Sequence, residues 1–433
     1  MSYRSAEVIE VRAWGRTVGA VALDPVTRFY AFEYDTDWLK LGQALSPLKI
    51  PNRPGTFVFP DVNPVTFQRL PPMLADCLPD RFGNALVNSW MADQGTPPSE
   101  ITPLDRLAYA ADRSMGALEF RPPADAQTAD VTALQLADLV TAARAAIIGD
   151  FAGAPKDALR ELIQVGTSAG GARAKAVVAF NPLTGQIRSG QLDAPPGFEH
   201  WLIKFDGVNE DPTRESDPFT AGAGYGKVEF AYSRMAIAAG LEMAECRLLP
   251  EGPRTHFMTR RFDRDARGRR IHMQTLCGLA ALDFNVAGVH SYAQYIGVVD
   301  ELGLGESARE QVFRRAVFNV AAVNRDDHTK NLAFLCPEAG DWALAPAYDI
   351  THAHNPSGNW TSKHQMTLNG KRDAIGREDL YEFGDRFRVP GYRDAFADVL
   401  SAVDRWSEFA EQAGVDGDHI DHIAGDLVSA RPT

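Results

Sequence analysis

Few cysteines, no surplus of positive charge and no long apolar run mark this 433-residue chain, and each shortage excludes something. Its four cysteines, Cys77, Cys246, Cys277 and Cys336, lie far apart with no C-x-x-C pair, so neither a short-range zinc motif nor a disulfide-stapled small fold is written here. That usage fits a reduced, cytoplasmic chain. With 44 Lys+Arg against 57 Asp+Glu the formal net charge is −13, and such a balance does not grip a phosphate backbone unaided, because that needs clustered cations that release counterions. Any link to DNA is expected to run through a partner. Nothing approaches the roughly 18 apolar residues that cross a bilayer, and Met1-Ser-Tyr-Arg-Ser-Ala-Glu7 lacks the apolar stretch of a signal peptide. No membrane role is expected.

What is present is ordinary globular composition, 45% hydrophobic and 23% charged, with length for two or three domains at about 150 residues each. Residues 6–35 alternate apolar and polar in short runs broken by Gly and Asp-Pro, the pattern of antiparallel strands and hairpins. A Pro-rich tract from Ser46 to Pro64 leads to Leu78-Pro-Asp-Arg-Phe-Gly-Asn84, which starts a helix running through Trp90. The first part closes near Pro122-Pro123, and Ala124–Ala129 has linker composition. Beyond it the pattern predicts a helix over about 131–148, strands at Ala174–Phe180 and Trp201–Phe205, and a helix from about Val228 to Ala239 that stops at Gly240. Strands at Glu245–Pro250 and His256–Phe262 follow. After residue 275 the sequence is mostly helical, best over 307–323, where Val312, Phe313, Ala316, Val317 and Val320 line one face. The expected class is α+β in three parts: a β-rich N-terminal subdomain over 1–123, a mixed lobe over 130–262 and a helical lobe over 271–433.

The 307–323 helix runs into Asn324-Arg-Asp-Asp-His-Thr-Lys-Asn331, a dense polar loop between core elements, where chemistry tends to sit. Asp326 and Asn331 have the Asp-x-x-x-x-Asn spacing of a phosphoryl-transfer loop, in which the Asp accepts the proton of an attacking hydroxyl and the Asn gives an oxygen to Mg²⁺. Alone, that spacing arises by accident about once in a chain this long. Asp349 strengthens it. It ends a second apolar run, Trp342 to Tyr348, so that a hairpin would deliver it beside Asn331 as a second hard oxygen donor. Asp327 and Thr329 read as cap and surface groups. Lys330 reads equally as a phosphate neutraliser or as a partner for a neighbouring acid.

Lys204 lies inside the apolar strand Trp201-Leu-Ile-Lys-Phe205, where an unpaired ammonium would be costly, so it requires an acid, a ligand phosphate or both. Glu229, in the following helix, is the candidate acid by analogy with the lysine–glutamate pair of protein kinases. Of two glycine-rich segments, Gly166-Thr-Ser-Ala-Gly-Gly-Ala-Arg-Ala-Lys175 precedes this strand and competes with Gly222–Lys227 to cradle phosphates; it lacks the Lys-Ser/Thr of a Walker loop. Ser168 is a hydroxyl within the first segment.

Together these residues resemble the HipA family, serine/threonine kinase toxins of bacterial toxin–antitoxin pairs. The resemblance rests on Leu78-Pro-Asp-Arg-Phe-Gly83, Gly116-Ala-Leu-Glu-Phe120, Ser168-Ala-Gly-Gly-Ala-Arg-Ala-Lys175, Ile203-Lys204, Arg261-Phe-Asp-Arg264, Asp326-x-His328-x-Lys-Asn331 and Pro346-Ala-Tyr-Asp349, in that order. It implies a two-lobed protein-kinase-like fold with a small β-rich N-terminal subdomain and a mostly helical C-terminal lobe. It further implies ATP and Mg²⁺ as cofactors, Asp326 as catalytic base with Lys330 and Asn331 beside it, and Asn331 and Asp349 as metal ligands. The nucleotide site would comprise Ser168, Gly170, Gly171 and Lys175, the phosphate lysine Lys204, Arg260 and Phe262 at the adenine-side hinge, and His328 and Asp349. Ser168 would be an autophosphorylated off-switch. The implied substrate is a serine of a protein such as an aminoacyl-tRNA synthetase, and the implied partner is a HipB-like helix-turn-helix antitoxin that contacts DNA. The alternative is a non-catalytic pseudokinase acting as corepressor or scaffold for that antitoxin.

Other features read as ordinary. His419 and His422, three apart near the C-terminus, fit a solvated helix face better than a metal seat. The run Arg260 to Arg270 is locally basic and Asp265-Ala-Arg-Gly-Arg269 within it reads as an exposed turn, while Trp360 and His352-Ala-His354 are candidates for substrate contact.

Overall fold

Alternation over residues 6–35 produces strands where it predicts them: β1 (Val8–Ala13), β2 (Arg16–Leu23) and β3 (Tyr30–Tyr34). Ile9, Val11 and Ala13 are buried on one face of β1, while Glu10 and Arg12 on the other form a 3.2 Å ion pair. With β4 (Thr56–Phe57) and β5 (Leu118–Arg121) these strands form an antiparallel sheet of order β4-β3-β2-β1-β5. Gly19 faces Tyr34 across β2 and β3, where a Cβ would strike the Glu33 carbonyl and the Phe32 ring. The helix expected from the Leu78 motif spans Arg81–Asp93; its N-cap, Asp80, accepts the Gly83 N–H at 2.7 Å. Helix Pro103–Ala110 opens with a Thr102/Asp105 capping box, and the buried Asp105 carboxylate also takes the Ser5 hydroxyl and the Ala6 N–H.

The computed structural model describes residues 5–122, 139, 142–143, 174–190, 194–208 and 224–433. The chain divides into two compact units. One comprises Met1–Glu215, Met258–Ala281 and Leu335–Asp341; the other comprises Ser216–Phe257, Leu282–Phe334 and Trp342–Thr433. Of the helix expected over 131–148, only Leu139, Ala142 and Ala143 fall among the described residues, and they are buried.

The first unit also carries β6 (Lys175–Phe180), β7 (Ile187–Ser189) and β8 (Glu199–Lys204), with β6 between the other two. Every residue of β6 is buried, so this strand shows a near-continuous apolar run rather than alternation. In the second unit β9 (Cys246–Glu251) adjoins β10 (Arg254–Arg260), which passes into the first unit beside β8. The first unit then continues through β11 (His272–Thr275).

The second unit is mainly helical, with long helices at Tyr225–Ala238, Tyr292–Glu301, Gly305–Ala321, Tyr392–Val403 and Gly417–Ala430. The 307–323 pattern thus appears two residues early, with Val312, Phe313, Ala316, Val317 and Val320 all buried. Gly240, at φ +78°, follows the end of the Tyr225–Ala238 helix as its sequence position predicts. The polar loop leads into β12 (Ala333–Cys336), which neighbours β13 (Ala343–Leu344), and the Ala345 N–H donates to the Ala333 carbonyl at 3.0 Å. Among the described residues no helix is long and apolar enough to cross a membrane, and none of the four cysteines is in a disulfide.

Candidate functional site

In the first unit, antiparallel pairing of β6 with β8 sets Lys175 directly opposite Lys204, so both side chains leave the same face of the sheet. Both are buried, and like charges facing each other are unfavourable unless anions intervene. Asp80 supplies one: its Oδ2 lies 3.2 Å from Lys175 Nζ while its other oxygen caps the Arg81–Asp93 helix. The Leu78-Pro-Asp motif therefore serves a charge as well as a helix start. Arg260 lies 3.5 Å from Glu199, and Phe262 follows it half-buried.

Two motifs far apart in sequence meet nearby. The Asp263 carboxylate, fully buried, accepts from Arg261 Nε and Nη2 at 2.9 and 2.6 Å, from Arg264 Nη1 at 2.9 Å and from the Gly116 N–H at 2.7 Å. Burial alone would raise its pKa, but the two guanidiniums more than offset that and hold it far below the usual carboxylate range. Gly116 sits at φ +81°, and a Cβ there would come within 2.7 Å of the Met273 backbone, so this position admits only glycine. The turn expected at Asp265-Ala-Arg-Gly-Arg269 is exposed as read, with Arg267 and Arg269 at the surface and the Asp265 carboxylate accepting their backbone N–H groups, while the flanking Arg261 and Arg264 turn their side chains inward as ion-pair members.

In the second unit the loop after the Gly305–Ala321 helix is held from both sides. Arg325 N–H donates to the Ala353 carbonyl and Ala353 N–H to the Val323 carbonyl, each at 3.1 Å, which pins the residues just ahead of Asp326. The Asn331 side-chain NH₂ donates to the Asp326 carbonyl at 2.9 Å, giving the five-residue spacing its physical reason. His328 Nδ1 accepts the Lys330 N–H at 3.2 Å, placing its proton on Nε2, which faces Asp326 Oδ1 at 3.6 Å. Trp360 Nε1 donates to that same oxygen at 2.6 Å. Lys330 Nζ lies 4.8 Å from the Phe284 ring centroid, a cation–π contact, where the sequence left a phosphate and a neighbouring acid equally open. Tyr348 hydroxyl donates to the Lys330 carbonyl at 2.6 Å and fixes the approach of Asp349, which itself takes the left-handed conformation at φ +55°.

Asp327 is corrected from surface group to buried hub. Its Oδ2 accepts from the Tyr292 hydroxyl at 2.8 Å and faces His364 Nδ1 at 3.0 Å; its Oδ1 accepts the Gln365 N–H at 2.7 Å. Thr329 is likewise buried, donating to the Leu282 carbonyl at 2.8 Å. Burial opposes the charge on Asp327, but His364, Gln365 and Tyr292 more than offset it and its pKa is lowered. Asp326 goes the other way. Burial, and then the charge of nearby Asp349, raise its pKa against the pull of His328 and Trp360.

Two mutually repelling carboxylates plus an amide oxygen make an all-oxygen donor set that a hard divalent cation would relieve, so Asp349 and Asn331 fit the Mg²⁺ expected of them. Ser168, Gly170 and Gly171 lie outside the described residues. Trp360, Tyr292, His364 and Asp80 were not assigned these partners from sequence. Only Trp360 carries a local signal, since a half-buried indole N–H needs an acceptor.

Known proteins resemble this chain along most of its length. The family description "HipA-like C-terminal domain" matches residues 167–432, and "HipA N-terminal domain" matches residues 9–121. A Haemophilus influenzae protein named "Putative kinase" is 27% identical over 232 residues, 49% of this chain; the chain covers 62% of that relative's length. A chain of the Shewanella oneidensis MR-1 toxin–antitoxin complex of HipA, HipB and operator DNA superposes at a TM-score of 0.68 with 18% identity, covering 98% of this chain and 96% of that one. That likeness establishes the expected fold, α+β and protein-kinase-like. With the two family descriptions together spanning most of the sequence, the chain belongs to the HipA family.

Proposed function

We propose that this chain is an ATP-dependent protein serine/threonine kinase of the HipA toxin type, passing the γ-phosphate to a serine of a protein such as an aminoacyl-tRNA synthetase. The observation that carries the reading is the charge coupling of Asp326 and Asp349 beside an Asn331 tied to the same loop. A hard divalent cation would relieve that repulsion. Asp349 and the Asn331 amide oxygen would hold Mg²⁺, which when bound neutralises triphosphate charge. Asp326, anchored by Trp360 through Oδ1, keeps its second oxygen to accept the serine proton. His328 Nε2–H steadies the Asp326 charge from 3.6 Å. Lys204 and Lys175 supply positive charge for phosphate oxygens, and Arg260 and Phe262 are assigned to the adenine side.

Autophosphorylation of Ser168 is part of the proposal: a phosphate there would add negative charge to the segment proposed to cradle the phosphates of ATP and weaken ATP binding. A net charge of −13 suits a chain that reaches DNA only through a basic, HipB-like partner. Incubation with γ-labelled ATP and Mg²⁺ tests the kinase reading. Label on protein in the wild type that vanishes in Asp326→Gln supports it. Absence of label with retained binding of a helix-turn-helix partner favours the scaffold role.

A further inference from the structure

We propose a zinc site in the second unit, formed by His352, His354 and Asp426 with His422 as fourth ligand, separate from the residues assigned to the nucleotide. The site is built from two spacings. Ala353 is held extended by its two backbone bonds to Val323 and Arg325, and in an extended segment residues two apart share a side, so His352 and His354 project together. His422 and Asp426 are one turn apart on helix Gly417–Ala430 and share its face. His422, read from sequence as part of a solvated helix face, is half-exposed, with its ring centroid 6.1 Å from that of His352.

Distances fit a single small cation. His352 Nε2 and His354 Nδ1 lie 2.9 and 3.0 Å from the same Asp426 oxygen, and His422 Nε2 lies 3.9 Å from it. The ligating atoms of His352, His354 and Asp426 all fall within 4.8 Å of one another. A tetrahedron with bonds of about 2.0–2.1 Å has edges of about 3.4 Å, between the shorter and longer of these separations. His352 is buried and His354 nearly so, while His422 is more open, which leaves a path for the ion. Imidazoles with one carboxylate are borderline ligands that suit Zn²⁺ over Mg²⁺ or Ca²⁺. With the ion bound, His352 Nε2 and His354 Nδ1 would turn from hydrogen-bonding Asp426 to giving their lone pairs to the metal.

The site has a consequence for the loop. The His352–His354 segment pairs with Val323 and Arg325, immediately ahead of Asp326, so the ion would clamp the C-terminal helix to the base of that loop. Its existence does not depend on the kinase reading. The test uses tag-free full-length protein titrated calorimetrically with Zn²⁺ alone, together with metal analysis after dialysis and the visible spectrum of the Co²⁺-substituted form. Expected are one zinc per chain, tetrahedral Co²⁺ bands, and affinity reduced at least about tenfold in His354→Gln and in His422→Ala, the size of effect that even outer-sphere partners have. His419→Ala, on the same helix but paired with Asp416, should bind as the wild type does. Circular dichroism confirms that each variant is folded. No stoichiometric zinc in the wild type would overturn the site, as would equal losses in His419→Ala and His422→Ala, and a metal-independent drop in melting temperature alone would identify a hydrogen-bonded clasp instead.

Discussion

Asp326 and Asp327 are adjacent carboxylates whose surroundings push their titration in opposite directions, and their roles divide accordingly. Asp326 is half-buried with a neighbouring negative charge, so it holds a proton more readily than an ordinary aspartate. Replacing it by Asn should cost about 10²–10⁴-fold in phosphate transfer and leave the melting temperature near that of the wild type, measured by label incorporation and by thermal denaturation. Asp327 should behave in reverse. Asp327→Ala leaves the Tyr292 hydroxyl, His364 and the Gln365 N–H without their acceptor. At about 1–3 kcal/mol for each buried group left unsatisfied, the variant should lose several degrees in melting temperature. Because the folded pKa of Asp327 is lowered, its contribution is present above the unfolded value and is lost as pH falls through the folded one. At this scale the Asp-x-x-x-x-Asn spacing was legible in the sequence, since Asn331 closes on the Asp326 backbone. The hub role of Asp327 was not, because its partners come from residues 292, 364 and 365, which no local pattern links to it.

Elements with a period were readable, and elements without one were not. β1 alternates because one face meets the core, whereas β6 is buried on both faces and shows only a run of small and branched apolar residues around Lys175. Asp80 illustrates what lay beyond the pattern: the sequence marks it as a helix start, and only the fold reveals Lys175 at 3.2 Å. Breaking this buried pair from one side should be expensive. Asp80→Asn is expected to destabilise by about 3–5 kcal/mol, since it removes the buried counter-charge that Asp80 gives Lys175. Combining it with Lys175→Met should recover part of that loss, read as a melting temperature above that of Asp80→Asn alone. A strictly additive double variant would show that the two side chains do not interact.

Across the whole molecule, each unit is assembled from segments interleaved along the chain, with residues 258–281 and 335–341 grouping with the N-terminal part. A reading by contiguous composition shifts does not reveal such crossings, because three of them, after Phe257, Phe334 and Asp341, fall within or just before a strand rather than at a Pro- or Gly-rich linker. The first unit also carries two histidines kept neutral. Burial holds His272 down to about 4, and burial with the Arg261 and Arg264 charges holds His200 down to about 4. Both folded values lie below the unfolded one, so their contribution is full above about pH 6.5 and lost as pH falls toward 4. Melting temperature should fall measurably from pH 7.5 to pH 5.5, and His272→Gln should flatten part of that slope.

The account as a whole rests on Asp349 as a metal ligand and Asp326 as a base, two tasks that separate in one measurement. Calorimetric titration of ATP, with Mg²⁺ and then with a chelator, compares the wild type with Asp349→Asn and Asp326→Asn. The wild type should bind more tightly with Mg²⁺. Asp349→Asn should lose that gain, and Asp326→Asn should keep it while failing to transfer phosphate. Full Mg²⁺-dependent binding in Asp349→Asn, or undiminished transfer in Asp326→Asn, would contradict the account.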